Sequence, residues 1–130
     1  MPTLPLTETQ AFYQIGAIHA ADGTAIVNWI SQQNNFRQID SLLAINSDAI
    51  GHVLLLNLNN GSSGAVEVGS CTVPARAGYD GNPATDLYVA AFPLNFPVFV
   101  FDSLWFLQAS VAVAMTGATV MTLVAIGGYV

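Results

Sequence analysis

The last quarter of the chain, residues 103–130, contains no charged residue, and this run restricts the fold more than any other feature of the sequence. It reads SLWFLQASVAVAMTGATVMTLVAIGGYV. About 20 consecutive apolar residues are enough to cross a bilayer as a helix, so a membrane span is the first interpretation to test. Two observations oppose it. Gln, Ser and Thr interrupt the apolar residues, and neither end carries the Lys or Arg that anchors a membrane helix.

Residues of the same run can be assigned alternately to two faces, with the two-residue period of a β-strand. It is also rich in β-branched residues, which favour strands over helices. The pattern predicts two strands folded into a hairpin around a turn at 116–119. One face of this hairpin would fill a core and contains Trp105, Leu107, Val111 and Val113. The other face is small, uncharged and flat enough for a neighbouring subunit to lie on, and contains Gln108, Ser110, Ala112 and Ala114.

Earlier segments show similar short runs, separated by turn residues. The predicted strands cover residues 10–20, 24–31, 36–46, 51–58, 65–73 and 98–101. The clearest turn contains Asn60-Gly61, because this pair adopts positive φ at little cost. About eight strands at such spacing predict an all-β, single-domain β-sandwich or jelly roll over residues 10–130.

Two segments depart from the strand pattern. Residues 1–9 contain Pro2 and Pro5 and predict an extended N-terminal arm, which could lie along a neighbour. One short helix is predicted near residues 83–91, after a loop rich in Pro, Gly and Asp. Asn82 would cap this helix and Pro83 would take its first position.

Charged residues make up only 8% of the chain, against about 25% in an ordinary globular protein. A free monomer needs a charged surface without large apolar patches to stay dispersed. The deficit favours a permanent assembly over the alternative of a neutral secreted β-domain solvated by Asn, Gln, Ser and Thr. Arg37 and Arg76 are the only basic side chains and the net charge is −6, so we expect no binding of nucleic acid or of a membrane.

The titratable side chains predict no enzyme, no cofactor and no metal site. His19 and His52 have no second ligand at metal spacing, and no Gly-x-Ser-x-Gly motif presents a nucleophilic serine. Cys71 lies in an apolar strand and is expected to be a small core hydrophobe. Asp80 and Asp86 flank a Gly-rich loop and could bind calcium, although a solvated loop followed by a carboxylate at a helix N-terminus explains them more simply.

Seven aromatic residues surround the loop at 74–83 and the strands after it. Stacked on an exposed face they would bind a sugar, for which Tyr79 and Trp105 are the residues to test. At this spacing, aromatic side chains more often pack in a core or an interface.

Several stretches of the chain resemble a family of small structural proteins of tailed bacteriophages. These stretches are INSDAIGHVLLLNL, the short Gly/Ser hairpin after it, VPARAGYDGNP, LQASVAVAM and the closing VAIGGYV. Their order and spacing carry the resemblance, which covers residues 39–130. It implies a virion component with a β-sandwich or jelly-roll fold and no catalysis.

The function expected from the resemblance and the charge deficit is a capsid decoration protein that binds and cements capsid subunits. The expected partners are the major capsid protein or other virion subunits, and we expect a homo-oligomer, with a trimer as one form. We expect the protein to be made in the host cytoplasm without a signal peptide and to reside in the virion. Two alternatives remain open, namely a head–tail junction or neck component and a carbohydrate-binding β-sandwich module. The candidate contact residues are Leu4, Leu6, Tyr79, Phe92, Phe96, Gln108, Ser110, Ala112 and Ala114.

Overall fold

The structure, a computed structural model, describes residues 10–31, 36–61, 64–92 and 105–129, together with the backbone of 99–101. The strands in these ranges are Gln10–His19 (β1), Val27–Ile30 (β2), Arg37–Asn46 (β3), His52–Asn59 (β4), Ala65–Val73 (β5), Thr85–Asp86 (β6), Phe99–Phe101 (β7), Phe106–Val111 (β8) and Val120–Tyr129 (β9). A single 3₁₀ turn, Ala20–Asp22, follows β1, and one α-helix, Leu87–Ala90 (α1), follows β6. The predicted N-terminal arm lies outside the described residues.

The strands form two antiparallel sheets packed face to face, which confirms the predicted β-sandwich. The five-stranded sheet has the order β1-β9-β3, and both short strands, β6 and β7, pair with the far side of β3. The four-stranded sheet has the order β2-β8-β4-β5.

The core lies between the sheets and is built from alternate side chains of the central strands, as the period of a strand requires. Its innermost members from the middle strands are Leu42, Ala44, Leu54, Leu56, Leu107, Ala109, Met121 and Leu123. The alternation of β3 shifts at a bulge, where Asp40 is the extra residue. Ile39 and Leu42 are therefore both buried, although residues three positions apart in a regular strand would point to opposite faces.

The predicted C-terminal hairpin is wrong. β8 pairs with β2 and β4 in one sheet, whereas β9 pairs with β1 and β3 in the other, so residues 112–119 carry the chain across the sandwich. The predicted turn does occur, because the Thr119 amide donates to the Thr116 carbonyl at 3.0 Å. Val113, expected in the core, is 63% exposed because β8 ends before it. No helix within the described ranges is long and apolar enough to cross a bilayer.

The predicted helix exists but starts later than expected. Asp86, rather than Asn82, is the N-cap, and its carboxylate accepts a hydrogen bond from the Tyr88 amide at 3.0 Å. Residues 82–84 instead belong to the loop, where the Asn82 amide donates to the Tyr79 carbonyl at 2.9 Å. Thr85 and Asp86, which would have belonged to the first helical turn, pair with β3 as strand β6, so only Leu87–Ala90 is helical.

Gly127 marks the closest approach of two backbones in the five-stranded sheet. It pairs with Ile39 beside the Asp40 bulge, and a Cβ at Gly127 would overlap the carbonyl group of Gln38. We expect Gly127→Ala to lower the free energy of unfolding by about 3 kcal/mol or more, because β9 and β3 would have to separate. Urea denaturation measures this change.

Gly51→Ala is the matched control. A Cβ at Gly51 would lie 3.4 Å from the nearest atom, the carbonyl oxygen of Val73, which is ordinary contact. We expect a change below about 1 kcal/mol there. Equal losses in the two variants would contradict the close approach at Gly127.

Candidate interaction surface

A buried polar cluster joins three connections at one end of the sandwich. Its centre is Asp48, whose carboxylate lies 2.8 Å from His52 Nε2 and accepts hydrogen bonds from the Thr116 hydroxyl at 2.8 Å and the Thr116 amide at 3.1 Å. Asp48 follows β3, His52 begins β4, and Thr116 lies between β8 and β9. The backbone of Arg76, after β5, donates to the Asp48 carbonyl at 3.0 Å.

This cluster combines a hydroxyl, a carboxylate and an imidazole, but not in an order that activates a nucleophile. The carboxylate stands between Thr116 and His52, so the imidazole does not contact the hydroxyl and cannot accept its proton directly. The second ring nitrogen of His52 lies 3.0 Å from the Val113 carbonyl oxygen. The side chains of His52 and Asp48 are 0% and 4% exposed, which leaves no room for a substrate. The arrangement is a structural tie between loops.

The hydrogen bonds to Asp48 stabilise its ionised form. The bond with His52 is the strongest influence, and the bonds from Thr116 add to it, so the pKa of the Asp48 carboxyl lies well below its usual range. Both partners of the His52 ring are acceptors, so the ring makes both hydrogen bonds only when both nitrogens carry a proton.

The other titratable groups singled out in the sequence are used in local contacts. Asp80 forms an ion pair with Arg76 at 2.9 Å, and Asp86 caps α1. Cys71 is half-buried against the core, and burial raises the pKa of its thiol. Among the residues that the structure describes, no three His, Cys, Asp or Glu side chains are grouped so as to hold a metal ion.

The outer face of the five-stranded sheet is uncharged over β1 and β9. Phe12 and Ile18 of β1 point into the core, so the alternate residues of β1 point outward. Tyr13 is 74% exposed and Ile15 is 61% exposed, and Ile126 beside Tyr13 on β9 is 47% exposed. The side chains that share this face by register are Tyr13, Ile15, Ala17, Thr122, Val124, Ile126, Ser41, Leu43 and Ile45. None of these nine side chains is charged; Asp86 of β6, which pairs with Leu43, lies at the side of the face away from β1.

The loop at 74–83 covers one end of this face. Gly78 has a φ of +86°, and a Cβ added there would lie 2.9 Å from the side chain of Ile45. Ile45 is consequently half-buried, whereas Tyr13 and Ile15 at the opposite side of the face are exposed. The accessible part of the face lies over β1 and β9.

The face predicted for Gln108, Ser110, Ala112 and Ala114 is only partly assembled. Gln108 and Ser110 lie on the outer side of the four-stranded sheet, where Gln108 donates to Asn28 at 2.8 Å. Ser110 is only 4% exposed and cannot contribute much contact area. Ala112 is exposed just beyond β8, and Ala114 is half-buried in the connection to β9. A role for this face in contacts stays a prediction.

The remaining candidate contact residues are dispersed. Phe92 is buried against Gly69 of β5 and belongs to the core, so it offers no contact surface. Tyr79 lies beside Arg76, whose guanidinium carbon is 4.7 Å from the ring centre. Leu4, Leu6 and Phe96 lie outside the described residues.

Tyr79 and Trp105, the two aromatic residues named for a test of sugar binding, do not share one platform. Tyr79 lies in the loop that contacts the Asp48 end of the sandwich, while Trp105 precedes β8 at the opposite end. The eight residues of β4 separate these ends by roughly 24 Å. Trp105 instead lines a small apolar cleft of about 180 Å³ together with Leu58, Asn60, Gly64, Val66 and Val68.

Comparisons of this chain with known protein families, with curated proteins and with solved structures found no match. The resemblance to virion proteins of tailed phages is therefore untested and stays a prediction. The assignment of function depends on the geometry of the described surfaces. Sequence patterns had not indicated the β1 face, because Phe12, Ile15 and Ile18 do not share a strand period.

The Asp48 cluster predicts a pH dependence of stability. Because the folded-state pKa of Asp48 is depressed, its contribution is fully present above the unfolded-state value of about 3.9 and is lost as the pH falls toward the folded-state value. We expect Asp48→Asn to lower the melting temperature at pH 7 by roughly 5–10 °C. The difference from the wild type should shrink below about pH 4, as measured by thermal unfolding followed by circular dichroism.

Asp80→Asn serves as the comparison. Asp80 is paired with Arg76, which also lowers the pKa of the Asp80 carboxyl, but its side chain is 65% exposed. We expect a small effect that decreases further with added salt. If the melting curves of Asp48→Asn and the wild type stayed equally far apart down to pH 2, the carboxylate of Asp48 would not be the group that matters.

Proposed function

We propose that this chain is a non-enzymatic structural subunit of a tailed-bacteriophage virion that binds capsid subunits as a decoration or cementing protein. The observation that carries the proposal is the uncharged outer face over β1 and β9. Tyr13, Ile15 and Ile126 form a contiguous group there, each about half exposed or more. Apolar groups of this kind on a folded chain are typical of sites that bind another protein.

The rest of the described surface supports binding rather than chemistry. The cluster of Asp48, His52 and Thr116 joins loops, and its imidazole and carboxylate are 0% and 4% exposed. The outer side of the four-stranded sheet is also nearly uncharged. Asn28, Gln108, Asn57 and Glu67 lie side by side across its four strands, and of these four only Glu67, on the edge strand β5, is charged. A sandwich with nearly uncharged faces, and with its loops held by hydrogen bonds at the Asp48 end, is suited to pack against other subunits without rearranging.

Cementing follows from mass action. A protein that binds only the assembled capsid stabilises that state by RT ln(1 + [L]/Kd), which is about 2.7 kcal/mol per site at 100 times Kd. Many copies at subunit junctions would add these contributions and raise resistance to heat and internal pressure. Tyr13, Ile15 and Ile126 supply the apolar area that such a contact buries.

Copy number in purified particles tests the proposal. We expect quantitative mass spectrometry to find this chain in a number comparable to the major capsid protein. A few copies per particle would indicate the neck or head–tail position instead. Absence from the particles would overturn a virion role altogether.

A surface variant tests the proposed face. Ile126→Lys places a charge at an exposed position in the centre of the face, so we expect at least about a tenfold loss of binding to particles that lack this protein. Val66→Lys is the matched control, because Val66 is 60% exposed on β5 of the other sheet. Equal binding by both variants would show that the capsid contact lies elsewhere. Cosedimentation of variant protein with particles measures the binding.

A further inference from the structure

The sandwich has several free strand edges, and most of them carry features that prevent pairing with another chain. β5 carries the charged Glu67, has a bulge at Val68, and is approached by Phe92 at Gly69. β2 has four residues and a register shift against β8. β6 and β7 have two and three residues. Shortness, bulges, charges and covering segments are the usual ways in which natural sheets avoid edge-to-edge association.

Within the part of the chain that the structure describes, the edge formed by β1 has none of these features. β1 has ten residues and pairs with β9 in one continuous register without a bulge. Its sequence, QAFYQIGAIH, contains no Pro, Lys, Asp or Glu. Its exposed side chains include Tyr13 and Ile15. A long, regular and apolar edge is a template for another strand.

Hydrogen bonds at the start of β9 show which backbone groups of β1 are available. The Val120 carbonyl accepts from the Ser47 amide at 3.1 Å, and the Val120 amide donates to the Ser47 hydroxyl at 2.8 Å. Val120 therefore directs both groups toward β3. Because these directions alternate along a strand, Met121 directs its groups toward β1, where its partner is Ile18.

Ile18 consequently directs its N–H and C=O groups toward β9. The residues that alternate with Ile18 along β1, from Ala11 to His19, direct theirs away from β9. His19 is the last of this set, and its amide donates to the Asp22 carboxylate at 2.7 Å rather than to β9. The other members are Ala11, Tyr13, Ile15 and Ala17. No hydrogen bond from any described residue reaches the outward backbone groups of these four.

We infer that β1 pairs antiparallel with β1 of a second copy of this chain about a two-fold axis at Gln14. In this register Tyr13 lies opposite Ile15 of the other copy and Ala11 lies opposite Ala17, each pair exchanging two hydrogen bonds. Aromatic and β-branched side chains form favourable cross-strand pairs. The five-stranded sheets of the two copies then form one continuous sheet.

Charge distribution favours a second copy as the occupant. The two-fold register pairs the whole stretch from Gln10 to Ile18 with itself, and this stretch carries no charge although the chain carries −6. Asp22 follows the end of β1, so the two Asp22 side chains lie roughly 34 Å or more apart, far beyond the Debye length of about 8 Å. The copies therefore meet where their mutual repulsion is weakest.

The size of the contact sets the expected affinity. About nine residues on each side is fewer than the 20–30 of a standard interface, so the dimer belongs to the weak class, with Kd on the order of 1–100 μM. The inference goes beyond the proposed function, because it concerns the isolated chain and holds whether or not that chain is a virion subunit.

Sedimentation velocity from about 5 to 500 μM tests the dimer, with two variants that act differently. Ile15→Pro removes an outward N–H that does not bond to β9, so pairing is blocked while the monomer stays folded. Ile15→Lys puts a charge on the edge and keeps the amide, in case the proline disturbs β1. We expect Ile15→Pro to be monomeric at every concentration and Ile15→Lys to weaken dimerisation at least about tenfold. The melting temperature at low concentration should change by only a few degrees in each.

Ile126→Lys distinguishes an edge contact from a face contact. Ile126 shares the outer face with Ile15 but lies on β9, away from the edge. We expect this variant to dimerise like the wild type, and its dissociation would show that the faces stack instead. Isotope-filtered NOEs between Tyr13 of one copy and Ile15 of the other would establish the register.

Three results would overturn the inference. They are a wild-type monomer at about 500 μM, a trimer or ring in place of a dimer, and a dimer that persists in both Ile15 variants. None of these bears on the copy number of the protein in particles, so failure here and failure of the virion proposal are separate outcomes.

Discussion

The carboxylate of Asp48 is the interaction on which the relative placement of the two sheets depends. Burial of apolar side chains holds the sheets together, but it is not directional and leaves their mutual orientation weakly defined. Asp48 adds direction, because it contacts His52 at the start of the four-stranded sheet and Thr116 on the way to the five-stranded sheet. Three connections between the sheets, after β3, β5 and β8, therefore meet at one point.

A buried guanidinium has the same role at the opposite end. Arg37 is fully buried, donates to the carbonyl of Ser31 after β2 and to the carbonyl of Trp105 before β8, and lies over the ring of Phe12. Burial lowers the pKa of Arg37, although a guanidinium stays charged in proteins. Each end of the sandwich is thus closed by one buried charged group that binds the chain where it changes sheets. The faces between the ends need no charge for stability.

Sequence patterns predicted the elements of this fold better than their arrangement. Alternation identified most strands and the sandwich, and for Ala65–Val73 the boundaries agree with the structure. It could not show that β8 and β9 belong to different sheets, because it reports the face of a residue and not the partner of a strand. The hydrogen bond between Thr116 and Asp48 joins residues 68 positions apart, so no local sequence pattern predicts it. Residues 47–48 lie in the connection after β3, where an aspartate is ordinary, so the sequence does not reveal the larger role of the Asp48 carboxylate.

The distribution of charge explains how such a chain could remain dispersed and still associate specifically. With few charged residues, the chain cannot protect every surface, and the structure places several of them at edges, in connections and at a bulge: Asp22, Asp40, Glu67, Asp80 and Asp86 are all at such positions. These residues repel copies that approach in most orientations. They leave the β1 edge and the face over β1 and β9 uncharged, and both surfaces present backbone groups or apolar side chains that lack partners among the described residues. The placement of these charges therefore restricts association to a few geometries, which is the property that the proposed assembly would use.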